Sequence, residues 1–397
     1  MKIQQRNAKL KYEKSITTSE DTGDETTKEV LSISRNMVHV PSVKLATGAD
    51  LPLFGLGTWL ASDPNALTDA LRAALDAGYR LIDTAYVYGN EAVIGKVLHE
   101  YFTTKKLKRS DLFITSKLPY LAHSPSEIED MVAGQLKDLQ TDYLDLYLIH
   151  VPCPCKHQPG NKHGDYHALI ENNQLVPDLI DHLDTWKVLE KLFNEGKLKA
   201  IGLSNFNQNQ IQHLLDHASV KPHNLQGRKT VEISSCTNTQ VGKRTGLFKV
   251  ETHIYWPQNE LYEFCKKNNI TMTSYGPLGS PGRKAFRPDG TWPEGEPMKD
   301  SIVLELAKKH GKTPAQILLR HMVQRGISTI PKSTHVERVR ENFNIFDFTL
   351  NDEEMNRLNN VKMRTRLFVF DFFAKHPFYP FEDVDKSTLK PVHLVEF

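Results

Sequence analysis

Three short apolar runs in the first half of the chain each end on a titratable residue: RLID on Asp83, LFITSK on Lys117 and DLYLIH on His150. Such runs read as buried parallel strands whose carboxyl ends reach one shared face. Amphipathic stretches of helical length separate them, and strand and helix patterns alternate eight times without an antiparallel pair among them. That order of elements points to the α/β class, as a closed (β/α)8 TIM barrel with its chemistry on the loops after the strands.

Local signals place the elements. Two alternating runs, HVPSVKLA and LPLFGLG, joined by Thr47-Gly48-Ala49-Asp50, predict a β-hairpin ahead of the barrel. Asp63 and Pro64 cap a helix that stops at Gly78. Long loops are expected over 151–180 and 276–298, and a Phe-rich segment from Asn351 to Phe397 is expected to pack near the mouth. Residues 1–35 are polar and charged with little periodicity and read as a disordered tail, leaving 36–397 as a single barrel domain.

Composition narrows the function. A net charge of +2 on 397 residues offers no bulk attraction for nucleic acid or membranes. No apolar run approaches the roughly eighteen residues of a membrane span. The N-terminus lacks the apolar core of a secretion signal, and its basic residues are followed by an acidic block from Glu20 to Glu29, unlike a mitochondrial presequence. Four cysteines in a chain of this length suit a reducing compartment, so the expectation is a cytoplasmic protein, monomeric, acting on a small molecule. The segment CPCKH with His163 and His167 has poor spacing for zinc, and no metal is expected.

The strand ends bring Asp83, Lys117 and His150 to one mouth, and Tyr88 follows Asp83 in a turn marked by Gly89 and Asn90. A phenol with a pKa of about 10 is a poor acid near neutral pH, and a neighbouring ammonium favours the phenolate and lowers that value. Asp83 would hold the Lys117 amine in its charged form. A neutral His150 would donate a hydrogen bond to a carbonyl oxygen, and Tyr88 would protonate that oxygen as general acid. Taken singly, each residue has a plain structural reading as cap, solvated amine or filler. Together they outline a proton-transfer site.

These four residues resemble, in identity, order and spacing, the tetrad of the aldo-keto reductases. The resemblance runs from about Val40 to the C-terminus through GLGTW at 55–59, DTAYVYGNE at 83–91, YLIH at 147–150, IGLSNF at 201–206, SYGPLGSPG at 274–282 and IPKS at 330–333. It implies reduction of aldehydes or ketones to alcohols by hydride transfer from NADPH. A contrasting possibility is a cofactor-binding barrel with little or no turnover, serving as a scaffold or inactive isoform.

No GxGxxG motif follows a strand, so a Rossmann site is not supported. The end of the last strand instead carries Lys332, Ser333 and Thr334, then Arg338, Glu341 and Asn342 on a helix, which read either as a phosphate site or as an ordinary solvated helix face. The resemblance assigns Lys332 and Arg338 to the 2′-phosphate and Glu341 and Asn342 to the adenine. It assigns Ser204, Asn205 and Gln226 to the nicotinamide, Tyr275 to stacking on its ring, and Leu278 and Ser280 to the pyrophosphate. Gly57 and Thr58 join the cofactor contacts. Trp59, Val87, His150 and Val151 are the expected substrate contacts, Val151 standing where many members have Trp.

One stretch departs from the pattern. Joining Gln226 directly to Val250 would restore the sixth strand of the resembling family, so residues 227–249 read as an insertion that interrupts a central strand, of the kind translated intron sequence would produce. A second register would use Thr239-Gln240-Val241 as that strand.

Overall fold

The computed structural model describes residues 39–45, 47–160, 165–222, 246–268 and 270–390. The expected tail at 1–35, Gln226, His163 and residues 227–245 of the expected insertion lie outside the described residues.

The hairpin comes first. Strand β1 (Ser42–Lys44) pairs antiparallel with β2 (Asp50–Pro52), Val43 opposite Leu51. Leu45 and Leu51 are buried with Leu81, Phe113, Leu146, Leu148 and Ile330, so the hairpin stops one end of the barrel with apolar side chains.

Eight parallel strands follow in chain order: β3 (Leu56–Gly57), β4 (Leu81–Asp83), β5 (Phe113–Leu118), β6 (Leu146–Ile149), then, past a small hairpin of β7 (Ile170–Glu171) and β8 (Gln174–Leu175), β9 (Ile201–Ser204), β10 (Gly246–Glu251), β11 (Ile270–Tyr275) and β12 (Ser328–Thr329). Each pairs with the next, and the ring closes where β12 meets β3. There the Gly55 amide donates to the Thr329 carbonyl at 3.0 Å and the Gly57 amide to the Pro331 carbonyl at 3.1 Å. Gly57 is required at this seam, because a Cβ there would sit 2.6 Å from the Ile330 carbonyl oxygen. The fold is thus the (β/α)8 barrel expected from the alternation.

Helices pack outside the ring. Helix Pro64–Ala77 starts as its capping residues dictate, the Asp63 carboxylate accepting from the Asn65 and Ala66 amides, and ends at Gly78 with φ +107°. Its inner face joins one continuous core with Phe54, Tyr79, Leu98, Trp186 and Phe343.

The sixth barrel strand corrects the sequence reading. Residues 246–249, expected to belong to an insertion, form the first part of β10, which pairs unbroken with Ile270–Tyr275 and, at Phe248 and Lys249, with Leu203 and Ser204. A central strand must satisfy backbone groups on both edges, and GLFKVE supplies them without a break. The alternative register through Thr239-Gln240-Val241 lies outside the described residues. Lys249 is therefore the residue that precedes Val250, the position the sequence reading gave to Gln226.

The loop after β6 is also more ordered than a simple connection. It carries the hairpin β7–β8 and bridges Cys155 to Pro177 and His157 to Ala168. Cys153 and Cys155 are buried there against Leu121, Phe373 and Tyr379.

Candidate active site

Four side chains meet at the carboxyl end of the barrel. Asp83 is the last residue of β4, Lys117 lies near the end of β5, and His150 follows β6. Tyr88 closes a single 3₁₀ turn, Tyr86–Tyr88, which Gly89 terminates at φ +64°. The Lys117 amine donates to Asp83 Oδ1 at 2.8 Å and to the Thr84 carbonyl. It lies 4.8 Å from the centre of the Tyr88 ring, and the rings of Tyr88 and His150 meet edge to face at 5.7 Å. Asp83 and Lys117 are buried, whereas Tyr88 and His150 are half-buried and line a cavity. The ion pair therefore sits behind the two groups that can touch a ligand.

Lys249 adds a member that the sequence reading missed. Its amine donates to the same Asp83 Oδ1 at 2.7 Å, so one carboxylate lies between two ammonium groups. Burial alone would raise the Asp83 pKa, but Lys117 and Lys249 outweigh it and hold the carboxyl below its usual range. Burial pulls Lys117 down to about 7, against the opposing pull of Asp83 and with the repulsion of Lys249 added. Burial, reinforced by both lysines, also holds His150 well below its ordinary value, so the imidazole is neutral. The expectation for Tyr88 is reversed. Burial, with Asp83 and Tyr275 adding to it, pushes the phenol well above its usual value. The expected stabilisation of phenolate by Lys117 does not prevail, because Asp83 stands beside that amine and the enclosed site penalises any new charge.

The cavity measures about 1220 Å³, above the roughly 300–1,000 Å³ of common small-molecule pockets and roomy enough for a dinucleotide and a second ligand. Its walls include Gly57, Thr58, Ser204, Asn205, Tyr275, Leu278, Ser280, Lys332, Ser333, Thr334, Arg338, Glu341 and Asn342, so the structure brings all the described residues of the expected cofactor set to one space. Asn205 sits at φ +64°, a conformation Asn tolerates better than most residues. There its amide donates to the His150 carbonyl at 2.9 Å while its oxygen accepts from the Tyr275 hydroxyl at 2.7 Å. At the far end, burial lowers the pKa of the Lys332 amine, and no side-chain partner neutralises Lys332 or Arg338 among the described residues. The helix Val336–Phe343 begins beside them. Two unpaired cations at a helix start fit a phosphate group, which is what NADPH would bring there.

The opposite end of the cavity is apolar. Trp59, Val87 and Val151 line it together with Tyr120, Trp292, Phe370 and Phe372. Phe368 meets Trp59 at 5.6 Å and Tyr275 at 5.5 Å, so the C-terminal segment does pack over the mouth. That segment is tied down by Glu251, which accepts from the Leu367 and Phe368 amides, and by Asp371, which accepts from Arg287 at 2.5 Å and from the Thr291 amide at 2.8 Å. Sequence reasoning missed Lys249 because its strand was assigned elsewhere. The alternating β-forming residues of LFKVE were the available signal.

Comparison with known proteins agrees with this geometry. The Aldo/keto reductase family profile matches residues 53–362. Aldo-keto reductase family 1 member A1 of Xenopus tropicalis is 40% identical over 355 residues, covering 85% of this chain and 97% of that protein. The human protein of the same name is 39% identical over 355 residues, covering 86% and 98%. Among solved structures, the aldose reductase from Schistosoma japonicum superposes with a TM-score of 0.73 at 38% identity, covering 86% of this chain and 99% of that one. On its barrel, its clustered Asp, Tyr, Lys and His, and these matches, the chain belongs to the aldo/keto reductase family.

Proposed function

We propose that this protein reduces aldehydes or ketones to alcohols with NADPH, using Tyr88 as general acid. Family membership makes it an oxidoreductase of small carbonyl compounds that works with a nicotinamide cofactor. The finer reading rests on one observation: Tyr88 and His150 face a single cavity edge to face, with the Lys117–Asp83 pair directly behind them.

The bound nicotinamide would supply the two reducing electrons at the carbonyl carbon. The residues of the chain handle the oxygen. The neutral imidazole of His150 can donate one hydrogen bond to it and fix its position. The phenol of Tyr88 keeps its proton until charge develops on that oxygen, since burial opposes earlier ionisation. An alkoxide is the conjugate base of an acid about as weak as water (pKa about 15.7), so it draws the proton from the phenol. The phenolate left behind is formed next to the Lys117 amine. Lys332 and Arg338 support the preference for the phosphorylated cofactor, and the aromatic wall supports apolar or aromatic carbonyl substrates. No helix among the described residues is long and apolar enough to cross a membrane. We take the protein to act as a cytoplasmic monomer, which size-exclusion chromatography and cell fractionation check.

The test is NADPH oxidation by the purified protein with a panel of aromatic and aliphatic aldehydes. Alcohol formed in step with NADPH consumed supports the reading. Tight NADPH binding with no turnover across the panel would instead leave a cofactor-binding barrel.

A further inference from the structure

Lys249 is a buried cation in a place where nothing about carbonyl reduction requires one. Its side chain is 5% exposed, it shares Asp83 Oδ1 with Lys117, and its strand neighbour is Ser204. The Asn205 amide donates to its backbone carbonyl at 3.0 Å, and its amine lies 5.9 Å from the centre of the Tyr275 ring. Ser204, Asn205 and Tyr275 are the residues that the family resemblance gives to the nicotinamide. Lys249 thus forms part of the floor of that subsite.

The charge balance there is uneven. At mildly acidic pH Asp83 carries one negative charge against two ammonium groups. The nearest other carboxylate on the strand, Glu251, is engaged by the Leu367 and Phe368 amides and by His253 at 2.8 Å. A nicotinamide ring is neutral when reduced and positively charged when oxidised. We propose that Lys249 makes the site discriminate by charge, holding the reduced cofactor and expelling the oxidised one. Like charges within about 10 Å at an effective dielectric of about 20 change a binding constant by roughly tenfold or more, so one buried ammonium suffices. A neutral amide of similar length would leave Asp83 balanced by Lys117 alone and remove the bias. The consequence is a protein poised for reduction and slow in the reverse direction, because oxidised cofactor is released rather than retained.

This inference rests on the proposed use of NADPH, and binding measurements separate the two. Dissociation constants for NADPH and for NADP⁺ are measured by fluorescence or calorimetric titration, at mildly acidic pH, for the wild type and for Lys249→Gln, Lys249→Met and Lys249→Arg. The wild type is expected to bind NADPH at least tenfold more tightly than NADP⁺. Lys249→Gln and Lys249→Met are expected to narrow that ratio about tenfold, chiefly by tightening NADP⁺, and Lys249→Arg to keep it. Equal affinities in the wild type overturn the inference without help from any variant. An unchanged ratio in a variant that still binds NADPH does the same. Failure of the wild type to bind either cofactor would overturn the proposed function and this inference with it.

Discussion

Lys117 and Lys249 donate to the same oxygen of Asp83, at 2.8 and 2.7 Å, from β5 and β10, two strands separated in the barrel wall by β6 and β9. Two ammonium groups on one carboxylate oxygen cannot both be fully compensated, and the more deeply buried Lys117 is pushed down to about 7. The unfolded chain keeps that proton up to about pH 10.4, the ordinary lysine value. Between these limits the unfolded state binds more protons, so stability rises with pH over this window, and the penalty is complete below it. Urea unfolding at pH 7 and pH 9.5 should show a gain on the order of 2 kcal/mol from this group. Lys249→Met removes the repulsion but not the burial that is the larger cause, and should make the gain smaller. Equal slopes in the two proteins would contradict the coupling.

Replacing the Tyr88 phenol separates chemistry from binding. Tyr88→Phe keeps the ring against His150 and removes the only proton proposed for transfer. Steady-state turnover should fall by roughly 10²–10⁴-fold, the usual contribution of a positioned acid. NADPH affinity should stay within about twofold, because the loss acts on the transition state and not on the bound cofactor. A variant that retained full rate would remove Tyr88 from the role given to it.

The choice between the two nicotinamide dinucleotides is expected at the other end of the cavity. Lys332 and Arg338 line the cavity with no carboxylate partner among the described residues, so a 2′-phosphate would reach both. Lys332→Ala and Arg338→Ala should each weaken NADPH binding by about 1.5–3 kcal/mol, the range for hydrogen bonds to charged groups, and leave NADH binding nearly unchanged. Parallel titrations with both dinucleotides check this.

Asp371 joins the C-terminal segment to the loop after β11. One of its oxygens takes both the Arg287 guanidinium and the Thr291 amide. Asp371→Asn weakens the first and leaves Arg287 half-satisfied, its Nε already without a hydrogen bond among the described residues and only 3.9 Å from Asp289. The segment from 363 to 390 should then be cut faster by thermolysin under native conditions. KM for bulky aldehydes should rise more than kcat falls. Unaltered proteolysis would show that the aromatic contacts of Phe368 and Phe370 hold the segment without the ion pair.

His123, on the loop after β5, gives an acid-sensitive contribution to stability. Both ring nitrogens are buried without a hydrogen-bond partner among the described residues, and burial pushes the imidazole down to about 3, with His182 and His376 adding to the effect. Between that value and the ordinary one near 6.5 the unfolded chain binds the extra proton, so stability falls as pH drops through this range. His123→Leu removes the group that must be kept neutral. The loss of stability between pH 8 and pH 5 should shrink by about 1–2 kcal/mol, read from denaturant midpoints.

Much of this was legible in the order of residues. Asp63 before Pro64 and Gly at 78 bound a helix because capping and left-handed termination act within a few residues. RLID, LFITSK and YLIH declared strands because a buried parallel strand must be apolar on both faces. Their terminal residues converged because a closed barrel puts every strand end at one mouth. The cavity-lining residues at 332–342 and 204–205 were likewise recoverable, since short motifs carried them.

Chain order could not supply the partners of each charge. Whether Lys117 would lower the Tyr88 pKa depended on Asp83 standing beside the amine and on how completely the walls excluded water. The identity of the sixth strand was equally a matter of pairing, because β9 and β11 accept whichever extended segment completes their hydrogen bonds, and GLFKVE did so where a family-like splice was expected. Local patterns determine which elements form, since their causes lie within a turn or a strand. Burial and charge neighbours are set by residues far apart in the chain, such as Asp83 and Lys249, and only the closed barrel brings them within hydrogen-bonding distance.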